Sequence, residues 1–375
     1  MYSKRIAALL VIGSVGMIAC ENDPAITKDL DDSASFAAST ANGGTGPFLL
    51  EMAGEPEPAL LGCAQAVNNE GMISGWNVID IGAGNTIERM ALWNRAGEFV
   101  EFGSAGYGAG IQVLGMNDRG QILSRVAGSG YPEVRVDNPD GSIFVLTAGW
   151  GREAYQNYPV RMNRKGDVMA TYWVDPEYCR SVGCPVDDIL TTHLGWLAAP
   201  ARPPWVPHST CVGETIDHDG AVYGLCWGDG ATRHYRWTAR DNARQFPTGP
   251  DRLLGVWIHD INRYGELVGR TTAGPLFWSQ TTGRIQIPMP PGVSRLEPVA
   301  INDRGEVLLS SDYVEGENRA AGTIGYWTRA SGTVVLPRKG WPIVSVYDLN
   351  NQGVVVGCVG GDGNKELVPA YWRIR

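Results

Sequence analysis

Ala300-Ile301-Asn302-Asp303-Arg304-Gly305-Glu306-Val307 reads as the end of one apolar run, a tight turn, and the start of another run. Asn302 at the first turn position bonds its side chain to the backbone two residues on. Gly305 takes the left-handed conformation that a bulged hairpin needs. The same arrangement recurs at Asn68, Asn117, Asn163, Asp217, Asn262 and Asn350, each followed three residues later by Gly71, Gly120, Gly166, Gly220, Gly265 and Gly353. Successive turns lie 49, 46, 54, 45, 40 and 48 residues apart, which makes the chain one array of repeats rather than a string of unrelated domains.

Around the turns the order of runs is constant. In the fifth unit Gly255 to Ile261 leads into the turn, and Glu266-Leu267-Val268-Gly269 follows it. Pro275-Leu276-Phe277-Trp278 and Arg284-Ile285-Gln286-Ile287 are the third and fourth runs. Short runs rich in β-branched and aromatic residues between Gly and Pro punctuation are strands. Four antiparallel strands per unit of roughly 47 residues make a propeller blade. The expected fold is therefore all-β, a seven-bladed β-propeller of four-stranded antiparallel blades over residues 48–375. The third strand ends in Trp93, Trp196, Trp237, Trp278, Trp327 and Trp372, and Val134-Arg135-Val136 replaces it in the second unit. Rigid aromatics at that point are expected to fill the wedge between blades. The last unit stops at Tyr371-Trp372-Arg373-Ile374-Arg375 without a fourth strand, and Phe48-Leu49-Leu50-Glu51-Met52 has no partner of its own. The N-terminal run is therefore expected to complete the last blade and close the ring, since an open sheet edge invites aggregation.

The chain is acidic, with formal net charge −9, 19% charged residues and 49 glycines. That balance speaks against nucleic acid as a partner. Residues 1–20 have the pattern of a secretory signal, basic then apolar. Ala19-Cys20 resembles the lipobox of bacterial lipoproteins, which implies lipidation at Cys20, Met17 standing where Leu is usual; the alternative is plain secretion. The membrane is then met only through that lipid, at the bacterial cell envelope, and the same resemblance implies the outer membrane, given Glu21. Residues 21–47 lack large apolar side chains and are expected to form a flexible tether.

An oxidising destination makes disulfides the default for the other six cysteines. Cys211 and Cys226 lie equidistant from the turn at His218 and Asp219, and Cys179 with Cys184 closes a small acidic loop. Cys63 and Cys358 remain, a pair that meets only if the array curls on itself. No spacing fits a zinc knuckle. Asp362-Gly363-Asn364-Lys365-Glu366 has oxygen ligands suited to calcium, with a solvated loop as the other reading, so no metal site and no cofactor are expected.

The pattern of Ala300 to Val307, with Pro369-Ala370-Tyr371-Trp372, resembles the HAF-type extracellular repeat of bacterial secreted proteins and lipoproteins. The resemblance covers nearly all of residues 61–375. It implies a repeat architecture and no defined activity.

Strand parity places the short turns on one face and the longer, variable loops on the other, where function usually lies. Those segments, such as 76–89, with the strand residues bordering them, bear Trp76, Arg89, Trp150, Arg152, Tyr178, Trp205, His208, Trp257, Tyr313 and Trp341. Aromatics beside Arg suit protein hot spots and glycan stacking. The first strands should line the channel with Gln65, Arg161, Glu214, His259, Asp260, Tyr347 and Asp348. The leading expectation is a monomeric, non-catalytic binding module for a protein or glycan. The alternative is a carbohydrate-active lyase or hydrolase using Glu214, His259 and Asp260 as an acid/base cluster. No nucleophile elbow, zincin motif or phosphate-cradling loop is present.

Overall fold

In a computed structural model the chain divides into two units, Met1–Ser33 and Ala34–Arg375. The structure describes residues 47–50, 61–82, 85–100, 110–126, 133–145, 160–173, 192–195, 211–228, 231–238, 244–245, 255–293, 295–311, 323–341, 343–360 and 367–374, all in the second unit.

These residues form antiparallel sheets in chain order. A short strand β1 (Phe48–Leu49) comes first, then β2 (Gly62–Val67), β3 (Ile73–Gly82), β4 (Asn85–Trp93) and β5 (Phe99–Val100), which make the first sheet. The second sheet is β6 (Ile111–Met116), β7 (Ile122–Val126), β8 (Glu133–Asp137) and β9 (Ile143–Val145); the third is β10 (Val160–Met162), β11 (Val168–Trp173) and β12 (Thr192–Gly195). The fourth is β13 (Cys211–Ile216), β14 (Val222–Gly228), β15 (Ala231–Trp237) and β16 (Arg244–Gln245), and the fifth β17 (Trp257–Ile261), β18 (Leu267–Thr271), β19 (Gly274–Ser279) and β20 (Gly283–Gln286). Then come β21 (Glu297–Ile301), β22 (Val307–Ser310), β23 (Ile324–Thr328) and β24 (Gly332–Val335), and finally β25 (Ile343–Leu349), β26 (Val354–Gly360) and β27 (Leu367–Arg373). The last sheet takes β1 as its outer strand, with Phe48 opposite Tyr371 and Leu49 opposite Ala370.

The fold is a β-propeller of four-stranded antiparallel blades. Six sheets carry the four strands, and β10–β12 has three among the described residues, so the expected count of seven complete blades is corrected to six. Residues 196–210, where a fourth strand of that sheet would run, lie outside the described residues.

Each repeat turn is built as its sequence requires. The seven turn glycines all have positive φ, as at Gly305 (+70°). A second device recurs three residues before the turn residue. In six of the seven first strands the pairing register slips there, as between Ala64 and Ala66 or between Val346 and Asp348. The slip brings a first-strand carbonyl against the second strand. A Cβ on Gly357 would stand 1.9 Å from the Ser345 carbonyl oxygen, so only glycine fits.

The core lies between sheets rather than within them. Ala66, Met90 and Leu92 of the first sheet pack on Val113, Met116 and Ile122 of the second. Val354, Val356 and Tyr371 of the last sheet pack on Val67, Ile73 and Trp93 of the first. Trp93, Trp237, Trp278, Trp327 and Trp372 are all buried, as the wedge reading expects. In the second blade the register places Asp137, not Val136, at the Trp position, since Asp137 faces Ile122 as Trp93 faces Ile73. Its buried carboxylate accepts from Ser124 Oγ (2.8 Å) and from buried Arg135. Burial still pushes its pKa up.

Two disulfides join described cysteines. Cys211–Cys226 staples a hairpin, and Cys63–Cys358 links the first sheet to the last across 295 residues. Cys20, Cys179, Cys184 and the 362–366 segment lie outside the described residues.

Candidate functional site

The turn side is held by side chains that sequence assigns only to local turn geometry. Asn302 Oδ1 accepts from the N–H of Arg304 and Glu306, closing its own turn. Its Nδ2 donates to the Asn350 carbonyl in the next blade at 3.0 Å. The same donation runs from Asn262 to Asn302, from Asn350 to Asn68, from Asn68 to Asn117, and from Asn163 to Asp217. Asp217 has no amide to pass on, and its Oδ2 instead accepts from Tyr223 Oη. Arg164 crosses the same end, donating to the carbonyls of Val67, Met116 and Leu349 and approaching Asp348 at 3.5 Å. That face is therefore bound up in its own structure.

Carboxylates and amides near the bulges bridge neighbouring first strands. Gln65 Oε1 accepts from Val113 N–H (2.8 Å), Asp260 Oδ2 from Ile301 N–H (2.8 Å), and Asp348 Oδ2 from Val67 N–H (2.9 Å). Asp260 also accepts from Ile261 N–H through Oδ1. Of the expected acid/base trio, Asp260 is thus committed to joining blades. Tyr347 is exposed on its strand.

Glu214 and His259, by contrast, share a cavity. It measures ≈ 280 Å³ and is lined by Arg161, Glu214, Trp257, Ile258, His259 and Arg270. The first strands β10, β13 and β17 and the end of β18 supply these residues, and Trp257 pairs with Arg270 at the strand ends away from the Asn262 turn. Trp257 is 51% exposed, with the Arg270 guanidinium 5.6 Å from its ring centroid. Arg270 and Arg295 both grip Glu297 Oε1, at 2.9 and 2.8 Å, and Glu297 Oε2 is buried without a hydrogen-bond partner. Beyond Arg270 lies a second cavity of ≈ 330 Å³, bordered by Thr271, Met289 and Glu297.

The electrostatics follow from burial. The Glu214 carboxyl is pushed up to about 8 by desolvation, against the Ile258 N–H that donates to it at 3.3 Å. His259 is held down to about 4, by burial first, with Arg161 and Arg270 adding to it and Glu297 opposing. At neutral pH the cavity therefore presents a protonated carboxyl, a neutral imidazole and two cations.

Other expected positions fall elsewhere. Trp76 and Arg89 sit within β3 and β4, opposite Cys63 and Asn77, so 76–89 is a long hairpin and not an irregular loop. Both are half-buried. Trp341 is half-buried against the core cluster that holds Trp372, and its carbonyl accepts from Arg338, which makes it a packing residue. Trp150, Arg152, Tyr178, Trp205, His208 and Tyr313 lie outside the described residues. Arg270 and Glu297 had no sequence signal beyond standing at strand ends. Among the described residues no group of three or more His, Cys, Asp or Glu side chains is placed to hold a metal ion.

No protein-family model and no curated protein matches the chain. Solved structures do. Virginiamycin B lyase from Staphylococcus aureus, as a catalytically inactive variant with quinupristin, is similar at 12% identity over 84% of this chain and 96% of that one, TM-score 0.46. A prolyl endopeptidase is similar at 11% identity over 84% of this chain and 50% of that one, TM-score 0.53. The β-propeller domain of the Trilobed protease from Pyrococcus furiosus is similar at 11% identity over 84% and 96%, TM-score 0.49. At these identities the likeness concerns the fold alone.

Proposed function

We propose that this chain is an envelope-anchored binding module, a HAF-type repeat protein that recognises a protein or glycan through the loop-bearing side of its propeller. The observation that carries this reading is Trp257, a large aromatic half in solvent beside Arg270, at the edge of a cavity shared by neighbouring blades. An exposed aromatic next to Arg is the composition of recognition hot spots. The turn side, tied up by the asparagine bridges, offers less free hydrogen-bonding capacity.

The scaffold belongs to the same proposal. The three-stranded sheet is the seventh blade, and the ring closes through β1. The pairing of Phe48 with Tyr371, the Cys63–Cys358 disulfide and the packing of Tyr371 against Trp93 support closure. Residues 1–20 act as lipoprotein signal, Cys20 carries lipid, 21–47 tether the domain to the outer membrane, and the domain works as a monomer.

A glycan array and an affinity capture from envelope extracts, run with wild type and Trp257→Ala, test the reading. Loss of the strongest signal in the variant supports it, and equal signals with both refute it. A carbohydrate-active enzyme is the second reading, favoured by one observation: Glu214 and His259 line one cavity with their protonation states pushed in opposite directions. Turnover of any glycan that is lost in Glu214→Gln would select it.

A further inference from the structure

The charge of the Trp257 cavity runs against the charge of the chain. The protein carries a formal net charge of −9. Yet Arg161 and Arg270 line the cavity, and Arg125 of β7 stands close enough to Arg161 to feel its charge. Among the described residues no carboxylate lies within ion-pair distance of Arg161, whose one hydrogen bond there goes to the neighbouring Val160 carbonyl (3.4 Å). Asp260 acts on it electrostatically, but both its oxygens accept backbone N–H bonds between blades. Arg125 Nε is buried without a hydrogen-bond partner.

Arg270 is already paired with Glu297, whereas the exposed guanidinium of Arg161 keeps its donors open to an anion that enters the cavity. The rest of the lining is uncharged hydrogen-bonding chemistry at neutral pH, Glu214 as a donor carboxyl and His259 as a neutral imidazole. Trp257 adds a flat apolar face. A carboxylate fits Arg161, hydroxyls fit Glu214 and His259, and a ring fits the indole. At ≈ 280 Å³ the cavity lies just below the usual size of ligand pockets, about 300–1,000 Å³, and Arg270 also borders the second cavity. A small ring suits that volume better than a folded protein surface.

We infer that the cavity between Arg161 and Trp257 binds an acidic saccharide of the uronic acid class, its carboxylate paired with Arg161 and its ring stacked on Trp257. This inference rests on the binding-module reading and narrows its ligand.

The test is calorimetric titration of the full chain with a galacturonic acid trimer, its fully methyl-esterified form, and a tripeptide with a free C-terminal carboxylate. The esters keep every ring and hydroxyl and remove only the charge. The expected result is binding of the acid at least ten-fold tighter than the ester, falling ten-fold or more in Arg161→Gln and weakening steeply with salt. Equal binding of acid and ester overturns the anion assignment while leaving a binding module standing. Tighter binding of the tripeptide than of the trimer, or no binding of either sugar, overturns the saccharide class. The comparison of acid with ester uses wild-type protein, so it decides even if Arg161→Gln fails to fold.

Discussion

Asn350 Nδ2 donates to the backbone carbonyl of Asn68 at 3.0 Å, across 282 residues of sequence. The same asparagine closes its own turn by accepting the N–H of Gln352 and Val354 on Oδ1. One side chain thus fixes a local corner and joins the last sheet to the first.

Asn350→Asp separates the two roles, because it keeps Oδ1 and removes the amide donor. The Asn68 carbonyl is then left without that donor in a buried site. That carbonyl still accepts the Gly71 N–H, so the expected loss is about 0.5–1.5 kcal/mol, read as a lower midpoint in urea unfolding. A midpoint equal to wild type would mean that the bridge contributes nothing.

The Cys63–Cys358 disulfide ties the same two sheets. The double variant Cys63→Ser/Cys358→Ser should lose about 2–5 kcal/mol, and the first amides to exchange faster in deuterium should be those of β2 and β26, which carry the two cysteines, and of β1. Uniform acceleration over all sheets would contradict a local seam.

Stability should fall with pH in a window set by Glu214. Its folded pKa of about 8 lies above the unfolded carboxylate value, so its contribution is complete at acid pH and is lost as pH rises through 8. Asp260, pushed up to about 6 by burial, acts in the same direction at lower pH. His234 and His259, held down to about 4 by burial, act oppositely, their contribution being lost as pH falls below the ordinary histidine range towards 4. Between about pH 6.5 and 8.5 the Glu214 trend stands clear of the histidines. The melting temperature of wild type should drop across that interval, and that of Glu214→Gln should stay level. Parallel curves would contradict the assignment.

Trp372 is fully buried in the wedge and donates from Nε1 to the Pro337 carbonyl at 3.2 Å. Trp372→Ala should cost about 3–5 kcal/mol, whereas Trp257→Ala, half exposed, should leave the unfolding midpoint within about 0.5 kcal/mol of wild type. Similar losses at both positions would undo the division between packing and recognition.

The repeat was legible because its turn chemistry is local. Asn and Gly three residues apart dictate a corner whatever surrounds them, and the pairing of Cys63 with Cys358 and the joining of the run that starts at Phe48 to the last sheet followed from the array. The bridging amide was visible only as a preference for Asn over Asp in six of seven turns, which local geometry does not demand. Trp76 and Trp341 illustrate the limit, since an aromatic near a loop looks alike in sequence whether it covers a strand or meets solvent. Arg270 and Glu297 came together through the packing of neighbouring sheets, and Asp260 left the acid/base trio because both its oxygens accept backbone N–H groups.

The two faces of the fifth blade offer a matched comparison. Trp257 with Arg270 stands on one, and Tyr264, 64% exposed with the Arg263 guanidinium 4.8 Å from its ring centroid, stands on the other. The decisive measurement is the dissociation constant of the strongest ligand from the array or capture screen for wild type, Trp257→Ala and Tyr264→Ala. A loss of ten-fold or more in Trp257→Ala, with Tyr264→Ala unchanged, is the predicted result. A loss confined to Tyr264→Ala would put recognition on the turn side and contradict the account.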